Sequence, residues 1–150
     1  MDSIVLDTTA IVKGLVTPRR KKNDEIREAA LKIHNIALNL LKKVESKLCN
    51  LFIPSAALVE TGSVISRLTG DEVIAQNSVN FMKNISNILY DSQTLEYAIS
   101  VGIKTKASGF DSLFIASAAF TNSTLITDDK KMYEHAKKFG VKAKLLRDMI

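Results

Sequence analysis

Five apolar runs of three to five residues, each separated from the next by segments of helical period, constrain the fold of this chain more than any other feature. They are residues 3–7 around Ile4-Val5-Leu6, Leu51-Phe52-Ile53, Ile88-Leu89-Tyr90, Thr124-Leu125-Ile126-Thr127, and Val141 to Leu145. Strands this short and this uniformly apolar are buried on both faces, as in a parallel sheet covered by helices. The intervening segments supply those helices. Ala10–Leu15 opens a short one. From Asp24, Ile26, Ala29, Ala30, Ile33, Ala37, Leu40, Leu41, Val44 and Leu48 mark one apolar face of a long one. Ser55 to Leu68 follows, with Gly70 as its stop, and then Asp71–Ile85 with Val73, Ile74, Asn77, Phe81 and Ile85 along one side. Thr94–Val101, closed by Gly102, Leu113–Phe120, and Asp129–Phe139, closed by Gly140, complete the set. The expected class is a three-layer α/β/α sandwich with a central, mostly parallel sheet.

A chain of 150 residues suits a single domain, 1–150, with a real core. Apolar residues at 46% with only 6 Gly and 2 Pro exclude disordered and collagen-like classes. No apolar run approaches the roughly 18 to 20 residues that span a bilayer. Cys49 has no partner for an internal disulfide, and Asp2 and Asp7 interrupt the first apolar stretch where a secretory signal would be continuous, so a cytoplasmic protein is expected. Twenty-one Lys+Arg against sixteen Asp+Glu give a formal charge of +5, with four cations consecutive at Arg19-Arg20-Lys21-Lys22, a balance that suits a polyanionic partner.

Four acids stand in apolar surroundings: Asp7 after the first strand, Glu60 in the helix after the second, Asp111 in the first turn of the Ala-rich helix, and Asp129 after the strand 124–127. Each of the three aspartates is also placed to cap a helix, Asp111 three residues after Ser108 in capping-box spacing. Glu60, at the fifth helical position, is too far along to cap. In an open α/β sheet these acids are expected at the carboxyl ends of the strands, where such folds place their sites. Four carboxylates at one edge repel one another unless a cation lies among them. An all-oxygen set selects Mg²⁺, with Mn²⁺ as a substitute, over zinc, and such an ion serves phosphodiester hydrolysis. His34 and His135, each alone on a helix, are expected as surface or core residues.

At Ile4-Val5-Leu6-Asp7-Thr8-Thr9, Ile53-Pro54-Ser55-Ala56-Ala57-Leu58-Val59-Glu60, Phe110-Asp111-Ser112-Leu113-Phe114-Ile115-Ala116-Ser117-Ala118 and Leu125-Ile126-Thr127-Asp128-Asp129, the chain resembles a PIN domain along nearly its whole length. That resemblance implies a ribonuclease whose metal ligands are Asp7, Glu60, Asp111 and Asp129, with Thr9 and Thr127 orienting them. Asp129 is favoured over Asp128 because the family pattern is Thr, any residue, Asp. Stand-alone chains of this size resemble the VapC toxins, which implies an RNA substrate, a VapB-like antitoxin and a homodimer. The alternative is a PIN-like nuclease or RNA-binding module in ribosomal-RNA processing. The helix from Asp24 and the basic loop 18–22 make the first half longer than in compact toxins. Aspartyl-phosphate enzymes also place an acid after strand one, but Thr9 stands where their phosphatases need a second Asp.

Overall fold

The computed structural model describes residues 2–150. Its elements run β1 (Asp2–Leu6), α1 (Thr8–Leu15), α2 (Glu25–Glu45), β2 (Cys49–Pro54), α3 (Ala56–Thr69), α4 (Glu72–Ile85), β3 (Asn87–Leu89), α5 (Asp91–Thr105), α6 (Gly109–Thr121), β4 (Thr124–Thr127), α7 (Lys130–Phe139) and β5 (Ala143–Leu145), followed by a 3₁₀ turn over Leu146–Met149. The five strands form one sheet in the order β3-β2-β1-β4-β5, every neighbouring pair parallel. The three-layer sandwich expected from the alternation is the fold observed.

The strand order reverses between β1 and β4. Crossovers between parallel strands are right-handed, so the helices leading outward to β2 and β3 cover one face of the sheet and those leading back to β4 and β5 cover the other. α1 accordingly packs on α2 and α3, while α5 packs on α6 and α7. The core lies between these layers: Val5, Leu51, Ile53 and Leu125 from the strands are fully buried, as are Ile11, Phe114 and Ile115 from the helices. α1 and α2 approach closely because Gly14 carries no side chain; a Cβ there would lie 3.1 Å from the backbone of Ala37 and 2.7 Å from Leu41 Cδ1.

Several expectations shift. α5 begins at Asp91, where the Gln93 side chain accepts from the Tyr90 N–H at 2.7 Å, and it continues through Gly102 to Thr105. Its left-handed stop is Lys106, at φ 60°. Gly102 faces α6, with the Ser112 hydroxyl 3.6 Å from where its Cβ would stand, so it serves helix contact rather than termination. α6 starts four residues before Leu113 because Ser108 caps it. The inward face of α4 carries Ala75 and Met82, and Val73 and Ile74 point to solvent; packing against α3 rather than the sheet sets that phase. Ile26 and Leu48, assigned to the apolar face of the long helix, are exposed. The long helix stops at Glu45, which leaves Leu48 outside it.

Candidate active site

The reversal of strand order makes a crevice at the carboxyl ends of β1 and β4, the position where open α/β sheets place ligands. Asp7 leaves β1 there and caps α1, accepting from the Ala10 N–H at 3.0 Å. Asp129 follows β4 and caps α7, its Oδ1 accepting from the N–H groups of Lys131 at 2.8 Å and Met132 at 3.2 Å. Both structural roles weighed for these residues are therefore real, and neither uses the whole carboxylate. Asp129 Oδ2 has no hydrogen-bond donor among the described residues.

Asp7 is the buried member, 3% exposed. Thr9 donates its hydroxyl proton to Asp7 Oδ1 at 2.7 Å, and Thr127 donates to Oδ2 at 2.5 Å. Each hydroxyl in turn accepts a backbone N–H of the segment after β4, Thr9 from Asp128 at 3.3 Å and Thr127 from Asp129 at 2.9 Å. With one lone pair of its oxygen taken by a backbone N–H, each threonine directs its own proton at Asp7, which is the arrangement an ionised carboxylate requires. Burial acts in the opposite direction and wins: desolvation, with a smaller contribution from the Asp129 charge, raises Asp7 from 3.8 to about 6 despite the three donors.

Glu60 and Asp111 reach the same edge from opposite layers. Glu60 stands in the second turn of α3, half-buried, and is raised by desolvation first and then by the Asp111 charge, with Arg67 opposing. Asp111 is the third residue of α6, its N–H donating to Ser108 Oγ at 3.1 Å. It stands in the first turn of the Ala-rich helix, as expected, and not directly after a strand. α6 follows α5, and because it leads into the amino end of β4 its own first turn lies at the carboxyl edge. Desolvation and then Asp129 raise its carboxyl, while His135 and Lys131 lower it. Asp7, Asp111 and Glu60 are thus linked electrostatically, through Asp129 and directly.

No three of these groups stand close enough to grip one ion directly, among the described residues. The donor set nonetheless fits a hard divalent cation: all four are carboxylates, three are held above their ordinary ionisation range, and Asp7 is buried with no cationic partner among the described residues. Mg²⁺ keeps several waters and needs only one or two protein carboxylates, so a three-armed cage is not required.

Four further side chains bear on this edge of the sheet. His135 was set aside as a lone helix residue, but its charge acts on Asp111; one turn of α7 separates it from Lys131, which acts on Asp111 as well, and that spacing was the available signal. Lys13 and Arg147 both pair with Asp128, whose side chain is only 4% exposed. Arg20, counted among residues that steer a polyanion, is committed to Asp24. His34 is a core residue, its Nδ1 2.7 Å from the Lys13 carbonyl oxygen.

A family model described as the PIN domain matches residues 4–138. This chain belongs to the PIN domain family. Its members are nucleases that generally use divalent metal ions, and a nuclease acting on nucleic acid is the activity the family carries. No curated protein sequence matches the chain. Among solved structures, the PIN fold seen here is similar to VapBC2 from Rickettsia felis bound to a DNA fragment from its promoter, at 15% identity and TM-score 0.64 over 95% of this chain and 98% of that one. It is similar to DNA-bound VapBC from Salmonella typhimurium at 15% identity and TM-score 0.64, covering 97% and 99%. FitAcB from Neisseria gonorrhoeae matches at 14% and 0.58, covering 93% and 95%. At these identities the likeness is one of fold. Among the described residues no helix is long and apolar enough to cross a membrane.

Proposed function

We propose that residues 1–150 form a single nuclease domain that hydrolyses RNA phosphodiester bonds with Mg²⁺, or Mn²⁺ in its place, and that the protein is the toxin of a VapBC-type pair. The observation that carries the nuclease reading is Asp7: buried at the reversal of strand order, held by three donors that favour its charged form, and paired with no cation among the described residues. A divalent ion there would supply the missing countercharge, and when bound it would activate water and polarise the phosphate.

Asp7 and Asp129 would hold the ion from the two sides of the crevice, with Glu60 and Asp111 completing the set through its waters. The chain's own work is orientation and proton transfer. Thr9 and Thr127 fix both oxygens of Asp7. Asp111 or Glu60, each raised towards neutrality, would take the proton of the attacking water at a carboxylate oxygen. Arg19, Lys21 and Lys22, exposed and in no ion pair among the described residues, together with Arg67 near Glu60, would meet the RNA backbone.

The test is cleavage of RNA by the purified chain across a Mg²⁺ titration, with and without chelator. Undiminished Mg²⁺-dependent cleavage by Asp7→Asn would refute the assignment.

The antitoxin rests on the likeness to VapBC and FitAcB. Its test is whether the product of a small adjoining reading frame binds the chain and stops cleavage. A homodimer in the cytoplasm completes the proposal. α5 presents Leu95, Ile99 and Ile103 on one side, 52%, 47% and 75% exposed, an apolar stripe that a second copy would cover. Light scattering that gives a monomer at micromolar concentration rules the homodimer out.

A further inference from the structure

The segment after β4 carries an acid that the site does not use. Asp128 is nearly out of water and its carboxylate faces the cations Lys13 and Arg147. Lys13, on α1, pairs with Oδ2. Arg147, in the 3₁₀ turn after β5, donates from Nη2 to the Asp128 carbonyl oxygen at 2.9 Å and lies 3.6 Å from Oδ1, which makes no hydrogen bond. Both cations keep about half of their side chains in solvent.

Desolvating a carboxylate against half-solvated partners contributes little net stability, so stability alone is a weak reason for the arrangement. Its geometric effect is definite. The clasp ties α1, the end of β4 and the segment after β5 to one residue, and that residue's N–H donates to Thr9 Oγ1, which donates to Asp7. The next N–H along, that of Asp129, donates to Thr127 Oγ1, which donates to the other oxygen of Asp7. A shift of the Asp128 backbone therefore moves both hydroxyls that aim the buried acid. Arg147 lies outside residues 4–138, which match the family model.

We propose that Lys13 and Arg147 are positioning residues: by clasping Asp128 from two sides they hold the backbone that orients Asp7 and sets its separation from Asp129. The metal-dependent part rests on the functional reading above; the backbone part does not.

Two measurements on the full chain separate them. Amide hydrogen exchange in metal-free protein should quicken at Asp128 and Asp129 by tenfold or more in Lys13→Met and Arg147→Met, beyond any change in the slowest-exchanging core amides, and remain at the wild-type rate in Lys13→Arg. Mn²⁺ affinity by titration calorimetry should fall about tenfold in the two Met variants, in the range found for groups that support metal ligands from behind. The double variant Lys13→Met with Asp128→Asn removes the buried charge that Lys13→Met leaves facing Arg147 alone. It should recover thermal stability while Mn²⁺ affinity stays low.

Recovery of both properties in the double variant would overturn the proposal, because charge balance would then be the whole role. Unchanged exchange at Asp128 and Asp129 in both Met variants would overturn it as well. If the wild-type chain binds no Mn²⁺, the nuclease reading fails, and the exchange rates alone still decide whether the clasp holds the backbone.

Discussion

At the scale of single residues, Asp7 sets function against stability. Its folded-state value of about 6 exceeds the 3.8 expected of an unfolded chain, so between about pH 4 and pH 6 the folded protein binds a proton that the unfolded one does not. Stability of the metal-free protein therefore falls as pH rises through that window, by at most about 3 kcal/mol for a shift of this size. Thermal melts should show a higher midpoint at pH 5 than at pH 7, and Asp7→Asn should flatten that difference while abolishing cleavage. The amide cannot satisfy both threonine hydroxyls, so its gain at pH 7 should be smaller, about 1 kcal/mol. With a metal the sign reverses: Mg²⁺ competes with the same proton, and its affinity should drop steeply below pH 6 in a calorimetric titration. The four acids were legible in the sequence because each interrupts apolar surroundings. Lys13, Asp128 and Arg147 were not, since a cation on a short helix and another 134 positions later carry no periodic signal; only the fold brings them together.

Among the elements, two glycines of similar appearance in the sequence behave in opposite ways. Gly14→Ala would push a methyl group against the Ala37 backbone at 3.1 Å and should destabilise by about 1–3 kcal/mol, because α2 must move away from α1. Gly102→Ala meets only ordinary contact with Ser112 in the last turn of α5 and should stabilise by up to roughly 0.5 kcal/mol. Denaturant melts of the two variants check both signs. Gly102 was misjudged as a stop because glycine ends many helices. Here the end is a lysine in left-handed geometry at residue 106, which no local composition announces. Element existence and order were legible from apolar runs and period. The faces of α4 and the ends of α5 and α6 were not, because tertiary packing and capping decide them.

For the molecule as a whole, the formal +5 divides unevenly. Four acids gather at one edge, while Arg19, Lys21 and Lys22 stand in a loop with no ion pair among the described residues. If single-stranded RNA binds through those three, replacing them together by Gln should lower the slope of log affinity against log salt by about 2. Fluorescence anisotropy with labelled RNA at several salt concentrations measures it, and an unchanged slope would place the contacts elsewhere. The hydrogen bond from Thr127 to Asp7 spans 120 positions of sequence and also sets a timetable. β1 leaves the ribosome first, yet its pairing with β4 and the second hydroxyl for Asp7 must wait until residue 127 has cleared the exit tunnel. Ribosome-bound chains arrested just before and just after that point should differ sharply in protease resistance at β1. Until the later point a nascent chain exposes Asp7, Glu60 and Asp111 while Asp129 is still shielded, so the four acids come together only once β4 has paired with β1.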